Sequence, residues 1–491
     1  MTMTMTGASL TLVAYSPTFP SSSSSSSSFK SHKPKTSCRV SLSPSPQPLF
    51  SSSDPFVLEL AETLEDSLPS STPLLHKLRD ASSQSLISTP WPSRKDEPFR
   101  FTDLSLIRSS KILPVAHPTK PLSALPTHAD DDFPCRLAIV DGHFLQSLSN
   151  VPELPQGVYV GSLSGLASSS VMDRVSELVC GLDGGDLFWS INGIGAPDLT
   201  VVYVPEGCRV ESPIHLVYYA VEGSGEGSKT LPVSNPRVLV VVEKGGEVGI
   251  IEEFCSTEGN GNECYWTNSA LEAVIREGAK VTHSYIQTQS SSAAHIKWTS
   301  IRQESSSKYE LTEVSTGGKL SRHNLHIKQL GPDTVTELTT LHLSVGDQTQ
   351  DLHSSLVLDH PRGYSRQLHK CIVAHSQGQA VFDGNVKVNR YAQQTDAGQL
   401  TRSLLLEPRA TVNVKPNLQI VADDVKCSHG AAISDLEESQ LFYFVARGID
   451  PATARKLLID AFGGEVIDKF PDSIRERVRS QFKSLLDPSP N

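Results

Sequence analysis

The chain has 491 residues, 38% of them hydrophobic and 20% charged, which is the composition of a soluble globular protein with roughly two or three domains. No run of about 18 apolar residues is present, so the sequence predicts no membrane span. The formal net charge of −11 argues against a general binder of nucleic acid or anionic membranes, because such proteins need a basic surface.

The first 53 residues differ from the rest of the chain. They contain no Asp or Glu, four basic residues and a run of eight serines from Ser21 to Ser28. An acid-free, serine-rich, weakly basic leader is typical of an organelle transit peptide, and the serine content favours the chloroplast. A disordered tail is the alternative. We predict that residues 1–53 are a chloroplast transit peptide; without their charge of +4 the remaining chain carries −15.

Residues 54–198 are predicted to form a mainly helical N-terminal domain. Asp54 can cap a helix that runs to Leu68, with Pro55 at its first position. A second helix is expected over residues 73–87, and helical patterning returns over 163–182. Between them the segment WPSRKDEPFRFTDL, residues 91–104, is irregular and rich in charged and aromatic residues.

Residues 199–424 are predicted to form the β core. Short β-branched runs alternate with period two, and no helical pattern interrupts them. Glycines mark turns at Gly207, Gly245, Gly278 and Gly317, with spacings of 38, 33 and 39 residues. That spacing is too irregular for a propeller and fits a stack of β coils. We therefore predict a mainly β protein built on a parallel β-helix, with a sandwich or barrel as the alternative.

Residues 425–491 are predicted to form a C-terminal helical domain. Amphipathic patterns indicate one helix that ends at Gly448, a second that is ended by Gly463-Gly464, and a third that begins near Pro471. Short helices are marginal alone and need a surface to pack on. That surface is either their own β-helix or a partner protein.

Three features resemble cofactor or enzyme motifs without satisfying their chemistry. In GSGEGSKT, residues 223–230, a serine precedes the lysine of the apparent phosphate loop, and no helix follows. Seven cysteines lie outside the leader with no CxxC pair, which argues against a disulfide framework or a self-contained zinc site. Seven histidines lie between residues 323 and 375 without HExxH spacing, so we interpret most of them as core or surface residues.

The sharper candidate is the triplet Cys427-Ser428-His429. If this segment continues a strand, Cys427 and His429 point to the same face, because side chains alternate. A thiolate beside an imidazole suits iron, zinc or copper, or transient sulfur handling. Two ligands cannot complete a tetrahedral site, so the missing ligands would come from another chain. The alternative is a buried cysteine beside a hydrogen-bonded histidine.

A longer stretch around this triplet carries a family resemblance. ADDVKCSHGAAISDLEESQLFYFVARGID, residues 422–450, resembles the C-terminal signature of the SufB/SufD family of iron–sulfur cluster assembly proteins. Residues 91–104 are similar to the family's N-terminal segment, and residues 346–406 to its late β-helix. Chain length, residues 91–104 and the lack of a cysteine run favour the SufD branch, and the leader is similar to that of its plant plastid members.

The resemblance implies a right-handed parallel β-helix between helical domains, in a non-enzymatic scaffold subunit of the SufBCD complex in the chloroplast stroma. It implies pairing with a SufB-like paralogue through the β-helix ends, or with a second copy of this chain when SufB is absent. It places His429, with Cys427 beside it, at that interface, where iron or a nascent cluster is held transiently and no cofactor is bound stably.

The resemblance also implies a SufC-like ABC ATPase docked on the C-terminal helices. The candidate docking residues are Phe442, Tyr443, Arg447, Leu457, Leu458 and Phe462. The competing hypothesis is a plastid β-helix enzyme that acts on carbohydrate, which would need a groove lined with carboxylates.

Overall fold

The computed structural model of the protein describes residues 54–68, 72–117, 133–166, 170–179, 185–221, 223–225, 227–256 and 263–486. The predicted transit peptide, residues 1–53, lies outside these ranges. The helices of the described residues are α1 (Pro55–Ser67), α2 (Pro73–Ile87), α3 (Ser105–Arg108), α4 (Ser170–Val179), α5 (Leu187–Gly195), α6 (Glu438–Val445), α7 (Pro451–Ile467) and α8 (Asp472–Leu486). None of these helices has the length and apolar character that crossing a membrane requires.

Most of the remaining described residues form strands. They are β1 (Lys111–Pro114), β2 (Arg136–Val140), β3 (His143–Phe144), β4 (Tyr159–Ser162), β5 (Thr200–Val204), β6 (Ile214–Ala220), β7 (Thr230–Ser234), β8 (Arg237–Val242), β9 (Glu247–Ser256), β10 (Trp266–Ile275), β11 (Lys280–Thr288), β12 (Ala294–Gln303), β13 (Lys308–Ser315), β14 (Leu320–Gln329), β15 (Val335–Ser344), β16 (Thr349–Leu358), β17 (Tyr364–Val373), β18 (Gln379–Val388), β19 (Thr395–Leu405), β20 (Thr411–Ile420) and β21 (Val425–Ser434).

The strands coil into a parallel β-helix with two long faces. From β8 onward, successive strands alternate between two sheets, and each pairs in parallel with the strand two positions later in the chain. We call the sheet that ends in β20 sheet A and the sheet that ends in β21 sheet B. This topology confirms the predicted fold class and excludes the antiparallel sandwich and barrel.

The β-helix extends beyond both of its predicted bounds, 199 and 424. At the N-terminal end β1 pairs with β7 and β2 with β6, so the region predicted as mainly helical also supplies strands. At the C-terminal end β21 pairs with β19 along its whole length, from Val425 to Ser434. The sequence VKCSHGAAIS has only two large aliphatic residues, Val425 and Ile433, which do not form an alternating pattern along the strand. The period-two signal is therefore too weak there to mark a strand.

The turns that lead from sheet A to sheet B share one backbone conformation. In the seven such turns between β5 and β19 one residue has a positive φ: Gly207, Gly245, Gly278, Ser306, Asp333, Arg362 and Gln394. The N–H of this residue donates to a carbonyl of the next coil, as Gly278 N does to Ser305 O at 2.9 Å. Gly317, by contrast, lies in a turn from sheet B to sheet A. The glycine repeat fades after Gly278 because the later turns accept other residues in the left-handed region, at about 1 kcal/mol each.

The inside of the coil becomes polar along its length. The first coils enclose Val, Ile and Leu side chains. Further along, Glu252 pairs with Lys297 at 2.8 Å, and Glu313 pairs with His323 at 2.9 Å and with His342 at 2.8 Å. Burial alone would raise the pKa of both carboxyls, but these partners hold it well below its usual range. His323 and His342 are therefore core residues, which confirms their sequence interpretation.

The helices α7 and α8 pack on the outer face of sheet B. Buried Val466 and Phe482 join apolar side chains of the sheet, such as Leu341, in one cluster. The prediction that Gly463-Gly464 ends the second C-terminal helix is wrong, because α7 continues to Ile467. A Cβ on Gly463 would lie 2.6 Å from the Phe482 ring. This glycine lets the two helices approach each other and does not terminate α7.

Candidate functional site

The β-helix ends in two strands that pair on one side only. β20 pairs with β18 and β21 with β19, and in the described residues neither sheet continues beyond them. Apolar side chains are exposed here: Ile420 is 45% exposed, Val421 56% and Ile433 51%. Unpaired strand edges with apolar side chains form a surface on which another chain can pair. We call β20 and β21 the open end.

Both predicted metal ligands lie at the open end, on β21. Cys427 is in register with Ala397 of β19 and His429 with Gln399, and both of these β19 residues are buried. Because side chains alternate along a strand, Cys427 and His429 share the inward side of β21. Cys427 packs against the apolar interior, whereas His429 is exposed. The structure thus brings the two predicted ligands to one side of one strand.

The pair offers one thiol and one imidazole as candidate metal donors. Burial raises the pKa of the Cys427 thiol, so the neutral thiol is the resting form at neutral pH. A metal ion must displace this proton when it binds, because the thiolate is the ligand. In the described residues no three His, Cys, Asp or Glu side chains are placed together to hold a metal ion. Two donors at an open edge therefore need further ligands from outside.

The outer side of the same strand segment faces the C-terminal helices across a cavity. This cavity of about 530 Å³ has Ser428 and Gly430 of β21 in one wall, and Glu465 of α7 and Lys469, which follows α7, in another. Lys469 Nζ donates to Thr339 Oγ1 of sheet B at 2.8 Å. The end of α7 and the segment that carries His429 therefore line one cavity.

The helix α6 projects outward, unlike α7 and α8. It has no buried residue, and Phe442 is 72% exposed and Tyr443 55%. The Arg447 guanidinium lies 3.4 Å from the centroid of the Tyr443 ring. Leu457 of α7 is also exposed. Exposed aromatic residues beside an arginine are the composition of a protein-binding patch. Four of the six predicted docking residues are therefore accessible to a partner.

The other two predicted docking residues lie deeper. Leu458 and Phe462 of α7 are half-buried. Phe462 packs against the apolar cluster on sheet B, and Lys370 Nζ lies 4.3 Å from its ring centroid. Lys370 also donates to the Phe462 carbonyl at 2.8 Å. Phe462 therefore fixes α7 to sheet B. The sequence left open whether the C-terminal helices pack on their own β-helix or on a partner protein. The structure shows that α7 and α8 pack on the β-helix, whereas α6 does not.

Sequence reasoning missed the ion pair that anchors α8. Arg477 donates to the fully buried Glu253 of β9 through both of its terminal nitrogens, and Nη2 lies 2.9 Å from Glu253 Oε2. His215 Nε2 lies 2.9 Å from the same carboxylate. A signal was present in GIIEEF, residues 249–254. Adjacent strand residues face opposite sides, so two acids inside an apolar run imply one buried carboxylate on each face, and each needs a cationic partner.

The outer face of sheet A carries a second cavity, of about 480 Å³, with two carboxylates in its wall. Asp186 accepts from Trp298 Nε1 at 2.9 Å and from the Phe188 backbone N–H at 2.9 Å. Asp383 lies 3.3 Å from Lys415 Nζ. These are the two carboxylates that the described residues place in this wall, whereas the carbohydrate-enzyme hypothesis predicts a groove lined with carboxylates.

Comparison with known proteins gives consistent matches along the chain. The family model described as "SUF system FeS cluster assembly, SufBD core domain" matches residues 224–462, and "SufBD protein N-terminal region" matches residues 58–216. The chain is 62% identical to "Protein ABCI7, chloroplastic" of Arabidopsis thaliana, over 91% of this chain and 94% of that one. It is 37% identical to an iron–sulfur cluster assembly SufBD family protein of Synechocystis, over 86% and 94%. It is 28% identical to the iron–sulfur cluster assembly protein SufD of Escherichia coli, over 82% and 91%.

Proposed function

The chain belongs to the SufBD family of iron–sulfur cluster assembly proteins, and we propose that it is a SufD-type, non-enzymatic scaffold subunit of a SufBCD-type complex in the chloroplast stroma. Similarity to a chloroplastic relative supports the plastid location, and similarity to a bacterial SufD supports the branch. The observation that carries the proposal is the position of Cys427 and His429 on an unpaired edge strand. The carbohydrate-enzyme hypothesis has no support from the family or from the groove on sheet A.

In this proposal the open end is the interface with a SufB-like paralogue. The exposed Ile433 and the unpaired edge of β21 would pair with the partner, and a second copy of this chain would take that place when the paralogue is absent. Iron or a nascent cluster is cargo that His429 and Cys427 hold transiently together with ligands of the partner. The donor set is therefore complete only while the two chains are joined.

The second partner in this proposal is a SufC-like ABC ATPase that docks on α6. Phe442, Tyr443 and Arg447 would form the centre of that contact, with Leu457 at its edge. The ATPase can shift the open end only if it binds the helices differently in its two nucleotide states. Because α7 follows α6 directly and borders the outer side of β21, it offers a mechanical connection between the two sites.

Iron and sulfide content test the metal role. We would co-express the chain anaerobically with its SufB and SufC counterparts, as wild type, as His429→Ala and as His360→Ala. His360 is an exposed histidine outside the open end and serves as the matched control. Loss of iron and acid-labile sulfide from an intact His429→Ala complex, with both retained in His360→Ala, is the expected result. Equal iron and sulfide in all three complexes would give His429 a structural role only.

Co-purification tests the ATPase contact. Phe442→Ala and Tyr443→Ala should each weaken ATPase binding by about 10-fold to 30-fold, because exposed aromatic anchors dominate such interfaces. Leu485→Ala on α8 is the control, since Leu485 is also exposed but lies outside α6. Pairing with the SufB-like chain should persist in all three variants. Undiminished ATPase recovery with both α6 variants would contradict docking on this helix.

Import into isolated chloroplasts tests the location. A fusion of residues 1–53 to a reporter should enter the organelle, become shorter, and appear in the stromal fraction. A fusion that stays outside and keeps its full length would contradict the transit-peptide assignment.

A further inference from the structure

The cavity on the outer face of sheet A has no part in the proposed scaffold function. Its volume of about 480 Å³ lies within the range of small-molecule sites. Its floor is formed by four successive outward-facing side chains of β14, which are Arg322, Asn324, His326 and Lys328. Trp298 of β12 and Phe99 of the N-terminal region form aromatic walls. These walls and this floor have the make-up of a binding pocket, with apolar rings and a few placed polar groups.

Asn324 is a buried donor that lacks an acceptor. The residue is 3% exposed and lines the cavity. Arg322 Nε donates to Asn324 Oδ1 at 3.1 Å, which fixes the orientation of the amide, because a flipped amide would place two donors against each other. Asn324 Nδ2 consequently points its hydrogens elsewhere and has no hydrogen-bond partner. Buried donors are rarely left unpaired, so an acceptor atom belongs at this inner end of the cavity.

Lys328 marks the other end of the cavity. It lies on the same face of β14 as Asn324, four residues further on, which is roughly 13 Å along the strand. Lys328 is exposed and forms no ion pair within the described residues. A ligand that spans the cavity would meet an uncompensated positive charge there.

Two of the three carboxylates around the cavity do not neutralise Lys328, because each of the two has its own cation. Asp351 pairs with Arg322 at 2.7 Å, and Asp383 lies 3.3 Å from Lys415. Asp186, the third carboxylate, accepts hydrogen bonds from backbone and indole N–H groups. Burial raises the pKa of this carboxyl above its usual range. The end of the cavity at Lys328 therefore favours an anion.

Between these two ends the walls suit a flat ring. Trp298 and His326 have ring centroids 4.6 Å apart. Burial lowers the pKa of His326 to about 4, so its imidazole is a neutral ring at neutral pH. In the same lining the Arg322 guanidinium lies 4.2 Å from the centroid of the Phe99 ring. Aromatic faces and a stacked guanidinium are the partners that planar heterocycles find in proteins.

We propose that this cavity binds a planar heterocycle that carries an anionic tail, as in a nucleoside monophosphate. The ring lies against Trp298 and Phe99 and presents an acceptor to Asn324 Nδ2, and the tail extends to Lys328. The site lies on sheet A, away from Cys427 and His429 on sheet B, and it does not depend on the proposed scaffold function.

Ligand-observed NMR titration of the full chain tests this proposal with three probes, AMP, adenosine and inorganic phosphate. AMP should bind about tenfold more tightly than adenosine, because only AMP reaches Lys328, and phosphate alone should bind more weakly than AMP. Lys328→Ala should reduce AMP affinity to that of adenosine and leave adenosine unchanged. Lys387→Ala is the matched control, since Lys387 is exposed on the same face of sheet A but outside the cavity. Lys387→Ala should leave the affinities of AMP and adenosine unchanged.

Asn324→Asp tests the inner end without loss of the fold. The substituted carboxylate keeps an oxygen for Arg322 Nε, removes the donor and adds a negative charge, so adenosine should bind about tenfold more weakly and AMP should lose at least as much affinity. No binding of AMP or adenosine at millimolar concentration would overturn the proposal. Equal losses in Lys328→Ala and Lys387→Ala would overturn it too, as would phosphate that binds as tightly as AMP, because either result would describe a general anion surface.

Discussion

The ion pair between Arg477 of α8 and Glu253 of β9 predicts how firmly the C-terminal helices are held. Glu253 is fully buried and receives two bonds from the guanidinium, while His215 lies 2.9 Å from the same carboxylate. Arg477→Ala would leave this carboxylate buried beside its imidazole partner. Removing one member of a buried pair costs about 3–5 kcal/mol. Because His215 remains, we expect a loss near the lower limit, about 3 kcal/mol in the free energy of unfolding.

Urea unfolding at pH 7.5, followed by tryptophan fluorescence, would measure this loss, and hydrogen exchange in α8 would localise it. Arg475→Ala is the matched control on the same helix. Its acidic partner, Asp472, has a side chain that is 91% exposed, and the Arg475 guanidinium also donates to the Phe470 carbonyl at 2.9 Å, so Arg475→Ala should cost about 1 kcal/mol. Equal losses for the two variants, within about 0.5 kcal/mol, would refute the role assigned to the buried pair.

The same pair predicts a dependence on pH. Burial acts to raise the pKa of the Glu253 carboxyl, but hydrogen bonds from His215 and Arg477 hold it well below its usual range. A group with a depressed folded-state pKa contributes stability above its unfolded pKa of about 4.3, and this contribution is lost as pH falls through the folded-state pKa. Arg477→Ala should raise the folded-state pKa of Glu253, because it removes one of the two groups that stabilise the carboxylate. Its destabilisation should therefore be largest near neutral pH and shrink below about pH 4, and an equal difference at pH 3 and pH 7.5 would contradict this.

Two further predictions concern glycines. Gly463→Ala should lower the free energy of unfolding by about 1–3 kcal/mol, because the new Cβ would lie 2.6 Å from the Phe482 ring. Gly464→Ala should raise it by about 0.5–1 kcal/mol, because the nearest atom to its Cβ would be 3.6 Å away. Thermal unfolding would compare them, and equal melting temperatures would show that helix packing does not select the first glycine. Gly278→Ala should cost about 1–2 kcal/mol, since φ there is +67° although the space is open. Ser306→Gly, at the equivalent turn with φ of 58°, should be neutral or stabilising, and a loss in Ser306→Gly as large as that in Gly278→Ala would contradict the equivalence of the turns.

The N-terminal helices and the inner strands are predictable because their signals are local. The Asp54 side chain accepts from Phe56 N at 3.0 Å and Pro55 opens α1, so cap and proline mark the boundary directly. The inner strands bury side chains on both faces and repeat through hydrogen-bonded turns, which gives long apolar runs. The last strand lacks this signal, because nothing of the described chain covers its free edge, and its place in sheet B follows only from pairing with β19.

The candidate site is predictable in part. Alternation along a strand places Cys427 and His429 on one side as soon as β21 is known to be a strand. The separation of Phe442 from Phe462 is not predictable, since both are aromatic residues on amphipathic helices. It depends on Lys370, which reaches the Phe462 carbonyl from sheet B, and on the glycine that allows α8 to approach α7. The hydrophobic periodicity of a sequence does not reveal such tertiary contacts.

The two ends of the β-helix differ in a way that favours one of them for a partner. At the N-terminal end the sheets close with the short antiparallel strands β3 and β4, of two and four residues. Short edge strands resist further pairing. At the open end β20 and β21 each have ten residues, and β21 carries exposed Ile433 beside the two candidate ligands. Two related chains that meet there about a two-fold axis would bring equivalent strands together in antiparallel fashion. In the proposed complex each chain would supply part of the donor set, so a movement that opens the interface would separate the donors.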